Sequence, residues 1–352
     1  MRVSVGLGSN SAEDWQSRID FAVEAERLGV HSIWTAETWG HDAVTPLAYI
    51  ASHTSTVKLG TGILQNGART PANVAMTAMS MHSMTGGRFL LGLGASGPQV
   101  IEGWHGVSYA RPLQRTRELI EIVRMASRGE RVAYDGKIYQ LPLPGGEGKA
   151  LRTSAPLVEQ LPIYVASLGP ANLRLTGELA DGWIGTSFMP ETADVFIDPI
   201  REGAEAAGRN LDDLDLQVGG AVEFTDDVEA AAKRHAMGLA FSLGAMGSAR
   251  HNYYNDAYRR QGWEDDAKAV QRLWLEGKRD EARDLVPVEM AIKVNLLGTP
   301  EMVKERLRLY RDAGINTFRA GLRGDGIDEQ LKHLGQLMDL VREINEEVAS
   351  PA

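Results

Sequence analysis

The chain of 352 residues is 43% hydrophobic and 24% charged, a globular composition that excludes a disordered or collagen-like polymer. Its 37 Lys and Arg against 47 Asp and Glu give a net charge of −10, which makes nucleic acid a poor partner. No cysteine is present, so disulfides, a thiolate nucleophile, iron–sulfur clusters and Cys-ligated zinc are excluded.

Residues 2–7 form a short apolar run that predicts a strand, and Gly and Asn arrive by residue 10, too early for a signal-peptide core. Ser11 offers a hydroxyl helix cap with Asp14 three residues on. Trp15, Ile19, Ala22 and Val23 then recur at helical spacing until Gly29 supplies a left-handed stop. The same punctuation, read onward, predicts further strands at 32–35, 58–63, 89–93, 162–166, 182–185, 215–222 and 317–321. Two surpluses interrupt the rhythm. One, near 129–160, holds a hairpin-like run over 131–139 with Asp135-Gly136 at its turn. The other, near 236–297, reads as helical, with aromatic-bearing stretches at 251–260 and 265–274. Trp263 and Trp274 there are expected to pack the insertion itself.

Eight strands alternating with amphipathic helices predict a single (β/α)8 TIM barrel domain over residues 1–352, with insertions near 129–160 and 236–297. An open doubly wound sheet is the competing architecture. The uncharged apolar stretch 236–249 is short and holds three glycines, so no membrane span is expected and a cytoplasmic location is.

Four motifs carry chemical information. Gly92-Leu93-Gly94-Ala95-Ser96-Gly97 matches a dinucleotide fingerprint in spacing, but the next helix is expected only near Leu113, and no acid closes a second strand. It reads better as a glycine-rich loop whose bare backbone admits a flat ring. Ser167-Leu168-Gly169-Pro170 follows an apolar strand and opens a helix. Free N–H groups there suit an anion, and an ordinary β–α turn fits equally. Glu37, Trp39, His41 and Asp42 cluster after the second strand. Asp42 reads as a helix cap, while Glu37 closes a buried strand and is a catalytic candidate, with a structural hydrogen bond as its bland alternative. Two glycines in Lys58-Leu59-Gly60-Thr61-Gly62-Ile63 suggest a bulge or close backbone approach. Eight dispersed His residues without H-E-x-x-H predict no metal, and no G-x-S-x-G elbow exists.

With these residues in order, the chain resembles the bacterial-luciferase-like superfamily, and within it the coenzyme F420-dependent branch. The carriers are Ala36-Glu37, residues 59–63, residues 86–94, residues 96–106, Ser167-Leu168-Gly169-Pro170, Gly298-Thr299-Pro300-Glu301 and Ala313-Gly314. The resemblance implies a barrel with a flavin-like ring in its C-terminal mouth and a non-prolyl cis peptide at Gly62-Ile63 behind that ring. It places Glu37 near the ring, Ala95, Ser96, Gly97 and Pro98 along its border, and Ser167, Leu168, Gly169 and Pro170 at the cofactor phosphate. It also implies a homodimer. One position departs: several relatives carry His after the acid, where this chain has Thr38.

The expected function is an F420-dependent oxidoreductase that transfers hydride to or from a small organic substrate. Glu37 or His41 is expected as proton carrier, and Trp39 and Trp104 as walls of the substrate pocket. An FMN-dependent luciferase-like monooxygenase is the alternative, and a cofactor carrier without catalysis a third reading.

Overall fold

The computed structural model describes residues 1–7, 14–247 and 252–349. Eight strands, β1 (Arg2–Leu7), β2 (Ser32–Thr35), β3 (Lys58–Thr61), β4 (Phe89–Gly94), β5 (Ile163–Ala166), β6 (Gly182–Gly185), β7 (Asp215–Phe224) and β8 (Thr317–Leu322), follow the expected order. Each pairs in parallel with its successor, and β8 returns to β1 with Arg2 opposite Thr317 and Val5 opposite Ala320. The sheet is therefore closed, and the open doubly wound alternative fails. The third strand is shorter than the sequence suggests. It stops at Thr61, the Gly62–Ile63 peptide is cis, and the chain resumes as a two-residue strand, Leu64–Gln65, on β4.

Side chains alternate in and out along each strand, so the helices cover one set while the barrel interior holds the other. Inside, Trp34, Leu90, Tyr164 and Ile184 form a plug. The Trp34 and Tyr164 rings meet edge to face at 5.4 Å. Glycine makes that plug possible: a Cβ at Gly60 would stand 2.4 Å from the Trp34 ring, and one at Gly182 2.2 Å from Tyr164. Below it Asp215 accepts from Arg2 at 2.6 Å and from the Tyr164 hydroxyl at 2.9 Å, closing the N-terminal end.

The first helix, Trp15–Arg27, is capped by Asp14, whose carboxylate accepts from the Gln16 N–H at 2.9 Å; the expected cap Ser11 lies outside the described residues. Gly29 ends it at φ +90°. The 129–160 surplus contains an antiparallel pair, Tyr134–Asp135 and Gln140–Leu141. Helices Val228–Gly244, Tyr253–Arg260, Glu264–Leu275, Arg279–Asp284 and Val288–Lys293 build the second insertion; His251, the expected start of its 251–260 stretch, lies outside the described residues. It has its own core of Leu243, Tyr258, Val270 and Met290, against which Trp263 and Trp274 pack. One local expectation was wrong: a short helix, Pro98–Gly103, starts directly after Gly97, because Pro98 presets the first helical φ and needs no N–H partner.

The seam between β3 and β4 sets the bulge in place. The Thr61 hydroxyl donates to the Gly92 carbonyl at 2.8 Å and accepts from the Gly92 N–H at 2.9 Å. A Cβ at Gly92 would lie 1.8 Å from the Thr61 carbonyl oxygen, a backbone atom that cannot rotate away. Gly92→Ala is expected to cost about 3 kcal/mol, lowering the thermal midpoint by several degrees. A midpoint equal to the parent's contradicts this account of the seam.

Candidate functional site

A cavity of about 560 Å³ opens above the plug, at the C-terminal ends of β2 to β6. Its bed is apolar, formed by Gly62, Ile63, Gly94, Ala166 and Ile184. Gly94 lets Ile63 lie across this bed, since a Cβ there would come within 2.8 Å of the Ile63 side chain. Ala95 and Ser96 continue the wall from the glycine-rich loop, and Tyr109, Pro112 and Leu113 close that side. The helical insertion reaches over with Met246, Tyr253, Tyr254 and Asp256. The insertion thus supplies one wall of the mouth.

Glu37 stands in this lining, 8% exposed, at the point where β2 ends. Its Oε1 accepts from Arg69 Nη1 at 2.7 Å and from the Gln65 N–H at 3.4 Å, and its Oε2 accepts from the Ala43 N–H at 3.2 Å. One carboxylate thus ties the end of β2, the turn before the helix Val44–Ala51 and the coil beyond the bulge. Gln65 reinforces the same junction, donating through Nε2 to the carbonyls of Glu37 and Thr38 at 3.0 and 2.9 Å. Its Oε1 must then accept, so His105, 2.8 Å away, carries its proton on Nε2.

On the opposite wall Ser167, Leu168, Gly169 and Pro170 lead into the helix Pro170–Leu179. Gly169 caps that helix without a side-chain acceptor, which leaves the positive end of its first turn facing the cavity. The Arg260 guanidinium donates to the Leu168 carbonyl at 2.6 Å and fixes the turn. Ser167 Oγ lies 2.8 Å from Thr176 Oγ1, and Thr176 spends its own proton on the Asn172 carbonyl. Ser167 is therefore the donor of that pair, and its hydroxyl proton is already committed. Buried Asn172 Oδ1 has no partner among the described residues.

The phenols respond to their surroundings. Burial, with Tyr253 alongside, pushes the Tyr109 hydroxyl well above the usual phenol range, and it donates to the Ser96 carbonyl at 3.0 Å. Burial likewise raises Tyr254, against the opposing charge of Arg319.

Of the residues expected from sequence, Glu37, Gly62, Ile63, Ala95, Ser96, Ser167, Leu168, Gly169 and Pro170 all meet in this cavity. Gly97 and Pro98 do not line it; they turn away as cap and first residue of the short helix. His41, Trp39 and Trp104 are also outside it. Asp42 accepts from the Val44 and Thr45 N–H groups at 2.8 Å each, which starts the helix and throws residues 39–41 outward. His41 is exposed and packs edge-on to Trp15 at 5.3 Å, while Trp39 and Trp104 are 58% and 67% exposed. Sequence reading missed Arg69, an isolated basic residue in a coil, whose link to Glu37 exists only in the fold. It also missed Tyr253 and Tyr254, which share the aromatic signal of residues that merely pack the insertion.

Comparison with known proteins adds a family. Residues 1–317 match the luciferase-like monooxygenase family. A Mycobacterium tuberculosis protein, provisionally named a coenzyme F420-dependent oxidoreductase, is 36% identical over 346 residues, spanning 96% of this chain and 99% of its own. The 5,10-methylenetetrahydromethanopterin reductase of Methanolobus tindarius is 29% identical over 304 residues, spanning 86% of this chain and 88% of its own. Among solved structures, the coenzyme F420-dependent tetrahydromethanopterin reductase of Methanopyrus kandleri superposes with a TM-score of 0.80 at 21% identity. That match covers 97% of this chain and 99% of the other, and it supports the barrel fold.

The Glu37–Arg69 pair gives the site its testable element. Arg69→Met leaves a buried carboxylate with only weak backbone donors, and is expected to cost about 2 kcal/mol of stability. Arg69→Lys should recover part of it. Chemical denaturation of the three proteins checks the order, and equal midpoints refute the junction.

Proposed function

We propose, for a chain that belongs to the luciferase-like monooxygenase family, the activity of an F420-dependent oxidoreductase that moves hydride between the deazaflavin ring and a small organic substrate. The observation that carries this reading is the joining, in one cavity, of an apolar bed bare of large polar groups to a helix N-terminus without a side-chain cap. A planar ring with an anionic tail asks for both. The name of the relative in Mycobacterium tuberculosis, which includes coenzyme F420, favours a deazaflavin over FMN or a nicotinamide.

F420, when bound, supplies the redox chemistry, accepting or giving hydride at one ring carbon. The protein supplies orientation and a proton. Ile63, Gly94, Ala166 and Ile184 support the ring, with Gly62 and the Ala95–Ser96 backbone beside it. The backbone N–H groups at the start of Pro170–Leu179 hold the phosphate; Ser167 contributes position, since its proton is committed to Thr176. Met246, Tyr253 and Tyr254 keep water off the exposed side. Glu37 is the proton carrier. Its carboxylate lines the cavity where β2 ends, which places it to act as base when the substrate loses hydride. His41, exposed against Trp15, takes no part.

Two measurements test the reading. Fluorescence titration should give F420 a dissociation constant at least tenfold, or about 1.4 kcal/mol, below that of FMN; FMN preference moves the protein to the oxygen-dependent monooxygenase reading. With a turnover assay in hand, Glu37→Gln should lower kcat by about 10² or more while F420 affinity stays within about threefold. Unchanged turnover removes Glu37 from proton transfer.

A further inference from the structure

Arg319 points into the barrel and has no anion among the described residues. It sits on β8, in register with Ser4 of β1 and Gly219 of β7. Two glycines make its seat: a Cβ at Gly219 would come within 2.9 Å of Nη2, and one at Gly62 within 3.8 Å of Nη1. Its guanidinium therefore reaches from β8 across the barrel axis to the edge of the cavity, where Gly62 and Tyr254 form the wall. Among the described residues no carboxylate pairs with it, and its buried Nη1 has no hydrogen-bond partner. One step deeper on β7, Gln217 is 1% exposed, and its Nε2 is also buried without an acceptor.

Two donors with nothing to donate to, in the interior of one barrel, are costly. An uncompensated buried cation is among the most expensive groups a fold can hold. Burial pulls the Arg319 guanidinium down from its ordinary value, with only the Tyr254 phenol opposing. Arg2 is matched by Asp215 and Arg69 by Glu37, whereas among the described residues Arg319 has no such partner and is left for a group that arrives from outside.

The position of the cation says which group. The cavity is walled by β2 to β6, while Arg319 comes from β8, in the other half of the mouth. There Gly6 of β1 is exposed, and a Cβ on it would meet nothing within 4 Å among the described residues. We infer that Arg319 is the anchor for an anionic oxygen group of the substrate, a carboxylate, which it holds at the barrel axis beside the ring. The inference rests on the cavity of β2 to β6 being the cofactor site. A single planar guanidinium matches the charge and fork geometry of one carboxylate. The substrate is accordingly a small carboxylic acid whose reacting carbon lies within a few bonds of that group, and Arg319 acts as its specificity determinant.

The test uses benzoate, its neutral isostere benzamide, and phenyl phosphate. Each is titrated at constant ionic strength into the full chain, with and without F420, and read by tryptophan and F420 fluorescence. Benzoate is expected to bind at least tenfold more tightly than benzamide to the parent protein. Arg319→Met should bring that ratio to about one, Arg319→Lys should keep part of it, and F420 affinity should hold within about threefold in both. Without any anion present, Arg319→Met should also melt above the parent, because it removes an unpaired buried charge. No preference for benzoate in the parent, or a preference that survives Arg319→Met, overturns the proposal. So does a tenfold loss of F420 affinity in Arg319→Met, which assigns the cation to the cofactor, or a stronger response to phenyl phosphate, which assigns it to a phosphate ester. If F420 fails to bind while the benzoate preference persists in cofactor-free protein, the anchor stands and the cofactor reading falls.

Discussion

The interior of a closed eight-stranded barrel is just wide enough for side chains to fill, so whatever is left open must be left open by small residues. Here that constraint is met by pairing bulk with its absence. Trp34 and Tyr164 fill the lower barrel because Gly60 and Gly182 yield the room their rings need. One layer higher Gly62 and Gly94 line the cavity, and Ile63 lies in the room that Gly94 leaves. The aromatic plug is thus the floor on which the site rests. It also explains why the active mouth lies at the C-terminal end, since the N-terminal end is sealed by the Arg2–Asp215–Tyr164 network.

Around that floor, function is distributed by strand. β2 and β3 end in the Glu37 junction, where one carboxylate holds three segments through Arg69, Gln65 and the Ala43 N–H. β5 ends in an open helix start suited to negative charge. β8 sends Arg319 back across the axis, uncompensated. The acidic chain concentrates its usable positive potential at two interior points, the first turn of Pro170–Leu179 and the Arg319 guanidinium. On the proposed reading, these two points give a cofactor tail and a substrate acid separate addresses. That separation is what orientation of a hydride donor and acceptor demands.

Much of this was legible in the sequence, because it is written in local pattern. Strand periodicity, Gly29 and Gly314 after helices, and Asp42 before Val44–Ala51 announce their roles within a few residues. The glycine-rich run at 92–97 and Gly169-Pro170 could be placed at the mouth for the same reason. What stayed hidden depends on contacts between distant segments. His41 lies only four residues beyond Glu37, yet the Asp42 cap turns it into solvent against Trp15. Arg69 gains meaning only when the bulge carries it beside Glu37, 32 positions earlier in the chain. Arg319 reads in sequence as one more charge in an alternating strand. Its lack of a partner is a property of seven neighbouring strands, not of its own.

The central claim is that the cavity over β2 to β6 is the seat of a deazaflavin ring whose phosphate meets the helix start after β5. A crystal structure of the protein with F420 tests it most directly. The account predicts the ring against Ile63, Ala166 and Ile184, and the phosphate within hydrogen-bond reach of the backbone N–H groups of Gly169 and Ala171. A ring bound outside this cavity, or a phosphate held by side chains elsewhere on the mouth, would contradict it.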